Sequence, residues 1–198
     1  MALHMNFRIT VIVLVGIVAV ISGQKLRAGT CPPLTSSPAP TLTIQNLVNT
    51  WRVLARSPSI HRHDWKCITY TFAAITANSK YSLAITGVQK IGGASRASGT
   101  VTVTGNNGAD STAGTYLTFE LTQLGKTTKS DYYIVKTDNT NYIVLYACQN
   151  FLFGRIDNAI ILALPNTADN LITAALNSLA AYGISRSDLV YPFTSECL

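Results

Sequence analysis

Hydrophobic and polar residues alternate along most of the chain from Trp51 onward. In the segment 67–75, for example, Ile68, Tyr70 and Phe72 fall on one side of an extended chain and threonines on the other. A period of two, sustained over many short segments, is typical of antiparallel strands. The pattern predicts eight strands, in the segments 51–57, 67–75, 81–89, 98–105, 115–123, 131–137, 141–149 and 158–164.

The connections between these segments are mostly short and rich in turn-forming residues, as in ANSK (77–80), GKTTKS (125–130) and TDNTN (137–141). Short connections join neighbouring strands as hairpins. Eight strands in a meander close into an up-and-down barrel, which leaves no exposed edge. The predicted fold class is therefore all-β, an eight-stranded antiparallel barrel whose interior is just wide enough for one small ligand.

The segment TADNLITAALNSLAAYGIS (167–185) has a different period, because its apolar residues recur at helical spacing. Thr167 or Asp169 is the candidate N-cap, and Gly183 is the expected end of the helix. The pattern predicts one amphipathic α-helix, packed outside the barrel.

An apolar stretch of 13 residues (9–21) follows Arg8 near the start of the chain and precedes two small residues. This is the form of a secretory signal peptide. A signal anchor is the less favoured alternative, because a membrane span needs roughly 20 apolar residues. We expect a signal peptide over 1–23 and a single secreted, extracellular domain over 24–198, with no stable membrane span after cleavage.

The charge pattern argues against a nucleic acid as partner. The chain is 47% apolar and 12% charged, with a formal net charge of +6. Its basic residues are scattered, whereas a nucleic-acid groove needs a clustered basic face. We therefore expect no nucleic-acid partner.

Four cysteines, Cys31, Cys67, Cys148 and Cys197, follow the apolar stretch. An even number in an exported chain predicts two disulfides, with three pairings open. The wide spacings lack the C-x-x-C form of a structural zinc site, so we expect no metal.

Three segments resemble, in order, the conserved regions of the lipocalins. The first is the apolar turn before Trp51 with the strand that ends in ARSP. The second is TDNTNYIVLYAC (137–148), in which a Thr-Asp turn joins two strands ahead of a Tyr-x-Cys, and the third is AIILALPNT (159–167). The four cysteines are similar to those of the apolipoprotein D and arthropod branch. The resemblance implies the bridges Cys31–Cys148 and Cys67–Cys197.

Within that branch, YACQNFLFGRIDNAII (146–161) resembles the crustacyanin group, in which a Tyr-x-Cys is followed by aromatic residues, Phe-Gly and an Asp. Crustacyanins carry a carotenoid and associate in pairs, and related insect lipocalins carry biliverdin. The resemblance therefore implies a pigment as ligand, carotenoid or biliverdin, and a homo- or hetero-oligomer. No cofactor is required beyond such a ligand.

The chain departs from the lipocalin pattern at the closed end of the barrel. Family members have an arginine that covers the tryptophan corresponding to Trp51, and Leu164 stands near its place here. The resemblance implies that Trp51 and Leu164 form the closed end, either as an apolar plug or with Arg52 or Arg56 replacing the missing arginine.

One set of alternating positions is expected to point into the barrel. Disulfides must lie outside it, which fixes the parity of the strands that carry Cys67 and Cys148. The lining is apolar and aromatic, as for a site that buries a lipophilic ligand, and a fully filled core is the alternative. The predicted ligand-binding residues are Val53, Ala55, Ile68, Tyr70, Phe72, Leu83, Ile85, Val101, Val103, Leu117, Phe119, Leu145 and Ile160.

The segment SIHRHDWKC (59–67) is the first strand connection, at the open end. We predict that His61, His63 and Trp65 form a mouth or lid. An axial haem ligand and a His–Asp catalytic pair are the alternatives, which the sequence favours less because no partnering constellation accompanies the histidines. No nucleophile elbow, phosphate loop or H-E-x-x-H motif is present, so we expect no enzyme.

These features together predict a secreted lipocalin that binds and carries a small hydrophobic ligand in its interior. A pigment with a role in coloration is the favoured ligand, and a fatty acid or sterol is an alternative. The alternative from another class is a lipocalin that acts through its outer loops, as a protease inhibitor or an amine scavenger.

Overall fold

A closed antiparallel barrel forms the body of the protein. The computed structural model describes residues 25–33, 44–58, 60, 64–76, 79–90, 92–104, 116–123, 125–193 and 197. The predicted signal peptide (1–23), His61 and His63 lie outside these residues.

Within the described residues there are nine strands and one α-helix: β1 (Leu26–Arg27), β2 (Thr50–Arg56), β3 (Trp65–Thr76), β4 (Lys80–Gln89), β5 (Ala94–Thr104), β6 (Tyr116–Gln123), β7 (Lys126–Thr137), β8 (Tyr142–Phe151), β9 (Gly154–Ala163) and α1 (Asp169–Ser178). Short 3-10 segments span Ile44–Leu47, Leu179–Tyr182 and Arg186–Asp188.

Strands β2 to β9 pair in sequence order, and β9 closes the barrel by pairing with both β8 and β2. The predicted fold class, an eight-stranded up-and-down barrel with one C-terminal helix outside, is confirmed. The ninth strand, β1, was not predicted. Its two residues pair with β9 on the edge that β2 leaves open, with Leu26 opposite Ile156.

A β-bulge in β2 changes which side chains point inward. Val53 lies opposite Leu162, but Ala55 lies opposite Ile161, so β2 has one extra residue between these pairs. An extra residue reverses the alternation of faces beyond it. The prediction that Ala55 lines the interior is therefore wrong. Ala55 packs in the cluster between barrel and helix, and Arg56 turns toward the interior instead.

The C-terminal segment fills a gap between β2 and β3. These two strands pair over only three residues each, Thr50–Arg52 with Thr69–Thr71. Further along, Arg56 exchanges backbone hydrogen bonds with Val190 (N···O 3.0 and 2.8 Å), and the Cys67 N–H donates to Pro192 O (2.8 Å). The Cys67–Cys197 disulfide holds the segment in place.

The other disulfide joins Cys31 to Cys148, so the structure has the pairing that the family resemblance implies. It attaches the N-terminal segment to β8. Nearby, the buried Asp157 carboxylate accepts from the Tyr146 hydroxyl (2.6 Å) and pairs with Arg27 Nε (2.9 Å). These contacts, together with the β1–β9 pairing, fix the N-terminal segment against the barrel.

Helix α1 covers the outer face of the barrel. It continues as the 3-10 segment Leu179–Tyr182 and stops at Gly183, whose φ of 76° is left-handed, as predicted. The N-cap is Ala168, with no side-chain cap, so the prediction of Thr167 or Asp169 as the cap is wrong. The Thr167 hydroxyl instead donates to the Asn141 and Leu164 carbonyls.

Removing the Cys67–Cys197 bridge should loosen the open end of the barrel. In the chain-entropy model the double substitution Cys67→Ser with Cys197→Ser should lower the free energy of unfolding by about 4 kcal/mol, because the bridge closes a loop of 130 residues. Urea denaturation measures the loss. Peptide mapping without reduction tests the connectivity, and a peptide that joins Cys31 to Cys67 would contradict it.

Trp51 should be a main source of stability at the closed end. The substitution Trp51→Ala should cost about 3–5 kcal/mol of unfolding free energy, because the side chain is 1% exposed. Trp51→Phe removes chiefly the Nε1–H bond to Leu47 O (3.0 Å) and should cost about 1–2 kcal/mol. Arg52→Ala, on the other face of β2, is the control in the same urea assay. A loss below about 1 kcal/mol for Trp51→Ala would show that β2 is not packed as described.

Candidate site in the barrel interior

The end of the barrel next to the 3-10 segment Ile44–Leu47, the closed end, is tightly packed. Leu47, Leu117 and Leu162 are fully buried there around Trp51. Neither Arg52 nor Arg56 replaces the missing lipocalin arginine in this place. The Arg52 guanidinium lies over the Phe193 ring outside the barrel (4.8 Å to the centroid), and Arg56 lies near the other end of β2. Leu164 packs against the interior cluster, so the plug is apolar.

Four aromatic rings pack together in the middle of the interior. Phe119 contacts Tyr132 edge to face, with ring centroids 5.3 Å apart. Tyr70 and Phe72 each lie 6.5 Å from Phe119, at tilted or edge-on angles. These are the separations of favourable aromatic pairs. The four rings form a floor across the barrel, level with the packed closed end, because Tyr70 lies opposite Trp51 and Tyr132 opposite Leu117 in the strand register.

The interior is more open beyond this floor. Ala97, Leu121 and Ala147 face inward and pack against the interior cluster, yet they are only half-buried. All three lie toward the strand ends that are opposite the closed end. Two of the three are alanines, whereas Trp65 and Ile68 fill the place of a side chain at Gly87. The geometry therefore divides the interior into a filled lower half and an accessible upper half.

Trp65 lies at the mouth of this upper half. It is the first residue of β3, and its side chain is 3% exposed. A Cβ on Gly87 would lie 3.5 Å from the Trp65 ring, so the indole packs across this glycine. The Ser95 hydroxyl is also buried and has no hydrogen-bond partner within the described part of the chain. Trp65 thus covers one side of the mouth.

Arg56 is a charged residue of the interior that the sequence prediction missed. It is fully buried, next to Ile160 in the β2–β9 register. Its Nη1 donates to the carbonyls of Ser57 and Pro58, both at 3.2 Å. Burial lowers the pKa of its guanidinium, and the nearby Tyr70 and Asp64 oppose that shift. With an ordinary pKa above 12, the group stays protonated at neutral pH.

Two phenols lie in the same interior. Burial raises the pKa of Tyr70 well above its ordinary value; Tyr132 raises it further, whereas Arg56 lowers it. Burial also raises the pKa of Tyr132. Both hydroxyls therefore stay protonated at neutral pH and can donate hydrogen bonds.

Apart from Ala55, the predicted lining residues lie in or against one interior cluster. Val103, like Leu164, is half-buried at its edge. The fully buried members of the prediction are Val53, Ile68, Tyr70, Phe72, Leu83, Ile85, Val101, Leu117, Phe119, Leu145 and Ile160.

The prediction also missed several apolar members of the cluster, among them Tyr132, Ile134, Ile143 and Leu162. These residues belong to β7, β8 and β9. Helix α1 packs on the outside of these strands, so both faces are apolar and alternation does not distinguish them.

Within the part of the chain that the structure describes, no group of three or more His, Cys, Asp or Glu side chains could hold a metal ion. No helix in that part is both long and apolar enough to span a bilayer.

Known structures share this architecture. The insecticyanin of the tobacco hornworm Manduca sexta superposes with a TM-score of 0.71 at 15% identity, over 87% of this chain and 90% of that one. Apocrustacyanin C2 gives 0.66 at 16%, over 86% and 92%, and lobster apocrustacyanin A1 gives 0.64 at 15%, over 86% and 91%.

The chain has the lipocalin fold. No family model matches the chain, and no curated protein matches it in sequence. The similarity to crustacyanins and insecticyanin agrees with the resemblance that the sequence motifs carry. In this lipocalin barrel, the accessible upper half is the candidate site.

The buried phenols should make stability fall at high pH. The folded state keeps Tyr70 and Tyr132 protonated, whereas in the unfolded chain they ionise near pH 10. The stability that these two protonated phenols contribute is therefore fully present below about pH 9 and is lost as the pH rises further. Urea denaturation at pH 8, 10 and 11 measures this, and Tyr132→Phe should reduce the loss. An unchanged alkaline loss in Tyr132→Phe would show that this phenol ionises normally.

Proposed function

We propose that the protein is a secreted lipocalin that binds and carries a small hydrophobic molecule in the upper half of its barrel. The observation that carries the proposal is that three inward-facing side chains toward the mouth, Ala97, Leu121 and Ala147, are only half-buried. Burial of apolar ligand surface contributes roughly 25 cal/mol per Å² to binding. The unpartnered Ser95 hydroxyl supports a ligand there, because buried polar groups in native proteins normally have a partner.

A pigment is the favoured ligand class, carotenoid or biliverdin, with a role in coloration. The support is the resemblance to crustacyanins and to bilin-carrying insect lipocalins. The Cys31–Cys148 and Cys67–Cys197 pairing supports placement in the apolipoprotein D and arthropod branch. A fatty acid or sterol would use the same apolar lining. The two disulfides also support an extracellular location, since such bridges persist in oxidising compartments.

One observation favours action through the outer loops instead. The β8–β9 turn exposes three consecutive large apolar side chains, Phe151, Leu152 and Phe153, and Leu152 is 86% exposed. Such a patch suits contact with another protein, either a second subunit in an oligomer or a target of inhibition. This second candidate function does not require an accessible interior.

A bulky side chain in the upper half should distinguish ligand binding in the interior from action through the outer loops. Ala97→Phe places a ring in the proposed site and should weaken binding of the ligand at least tenfold. Ala84→Phe makes the same change on the exposed face of β4 and should leave affinity unchanged. The assay titrates refolded protein with a ketocarotenoid, biliverdin and a fluorescent fatty acid. Binding of none of them, or equal binding by Ala97→Phe, would refute the interior site and favour the outer loops.

A further inference from the structure

We infer that the open end of the barrel docks on the surface of an anionic lipid membrane, with the β8–β9 turn inserted among the lipids. The inference goes beyond the proposed carrier function, and vesicle binding tests it separately from ligand binding. It starts from the three exposed apolar side chains of that turn and from the charges around them.

The β8–β9 hairpin projects beyond its neighbour on one side. Strand β8 pairs with β9 as far as Phe151 and Gly154, but its last pair with β7 joins Tyr146 to Tyr133. At about 3.4 Å per residue, the rest of β8 (147–151) extends roughly 17 Å past the end of that pairing. The tip of this projection carries the exposed turn. Apolar side chains at a projecting tip can enter a lipid surface without a shaped groove to receive them.

The tip lies at the same end of the barrel as the mouth. Strand β9 ends at the closed end, where Ala163 lies opposite Arg52 and beside Trp51. The first residues of β9, which follow the turn, therefore lie at the open end. A carrier that docks by this end presents its mouth to the membrane, where hydrophobic molecules dissolve.

The described strands do not pair in the wall beside this tip. Ser130 and Thr128 of β7 have the inward parity of the buried Tyr132, yet both are exposed. In the described part of the chain, this half of β7 pairs with β6 alone. Leu121 lies opposite Thr128, and Ala147 is the first residue of the projecting part of β8. Two half-buried residues of the proposed site thus lie beside the docking surface.

The charges at the open end favour an anionic surface. The three hairpin turns there, with their flanks (88–96, 122–130 and 149–156), contain five basic residues and no acidic one. Four of the five are exposed. Lys90 and Lys126 lie in the turns themselves and have no ion pair within the described residues. Clusters of this kind attract a membrane surface that contains anionic lipids.

The opposite end has a different charge. Its three connections, 76–80, 105–115 and 137–141, contain one lysine and two aspartates. At the open end, Asp64 of the first connection is half-buried. The barrel therefore has an electrostatic direction that turns its mouth toward negative charge.

A lipid surface fits this end better than a protein partner does. A standard protein interface engages about 20–30 residues on each side, whereas the exposed apolar residues here are three side chains at one tip. Their neighbouring turns carry lysines. Apolar insertion together with attraction to anionic lipids is how peripheral proteins attach to a membrane interface.

Vesicle cosedimentation tests the inference with the chain from residue 24 onward, which contains every described residue. Vesicles of phosphatidylcholine with about 30% phosphatidylserine should bind the protein roughly tenfold more tightly than pure phosphatidylcholine vesicles, because the lysines attract the anionic head groups. Raising the salt concentration from about 0.05 M to about 0.5 M should weaken this binding, since salt screens exposed charges.

One pair of variants tests the apolar tip. Leu152→Ser with Phe153→Ser should weaken binding to the anionic vesicles roughly tenfold or more, because it removes the side chains that enter the lipid. Ile75→Ser is the control, because it removes an exposed apolar side chain toward the closed end. It should leave vesicle binding unchanged.

A second pair of variants tests the charges. Lys90→Gln with Lys126→Gln should remove most of the preference for anionic vesicles. Lys80→Gln with Lys136→Gln makes the same change in net charge toward the closed end and should keep the preference. All four lysines are exposed, so both double variants should fold as the wild type does. Circular dichroism checks the fold.

The outcomes distinguish the docking surface from the carrier function. Absence of vesicle binding, or an equal loss in the tip variant and in Ile75→Ser, would overturn the inference and leave the carrier function standing. If the tip variant loses self-association in sedimentation velocity but keeps vesicle binding, the turn is a protein contact and the inference is wrong. If the tip binds vesicles but the protein takes up no ketocarotenoid, biliverdin or fatty acid, the docking surface stands and the carrier function fails.

Discussion

The closure of the barrel by β9 is the constraint on which the rest of the structure depends. This strand pairs with β8 along its whole length, with β2 over part of its other edge and with β1 over the remainder. Because β2 is shorter than the edge it must cover, the chain completes the wall with other segments. Those segments are β1 and, between β2 and β3, residues 190–192. Each of the two disulfides ties one of these terminal segments to the barrel.

The same closure produces the interior charge. To pair with β9 and then meet Val190, β2 includes one extra residue between Val53 and Ala55. The bulge turns Ala55 outward against the helix side of the barrel and Arg56 inward. A single inserted residue therefore replaces a methyl group by a guanidinium on the inward face of β2. This is why the chemistry of the interior differs from the uncharged lining that strict alternation predicts.

The closed end and the mouth of the interior also differ in how tightly they are packed. Toward the closed end, Trp51 and its neighbours exclude solvent and contribute most to stability. Toward the mouth, the inward-facing Ala97 and Ala147 are only half-buried. Stability thus depends mainly on the closed end, whereas the proposed binding site lies toward the mouth. Substitutions at the mouth can change ligand affinity without much loss of packing.

Alternation and turn residues were enough to predict eight of the nine described strands, their order and much of the interior. Phe72 and Leu83, for example, lie in strands exposed on the other face, where alternation between apolar and polar residues is a direct consequence of one-sided burial. The family resemblance implied which cysteines pair.

Alternation alone could not determine which side of β7, β8 and β9 faces inward, because helix α1 buries the outer face as well, and Tyr132 and Leu162 were missed for that reason. On β8 it was the parity of Cys148 that placed Leu145 inward. Nor could alternation determine that the side chain of Arg56 points into the barrel. These positions depend on tertiary contacts, since a bulge and the burial of a strand's outer face arise from the pairing and packing of segments that are distant in the chain.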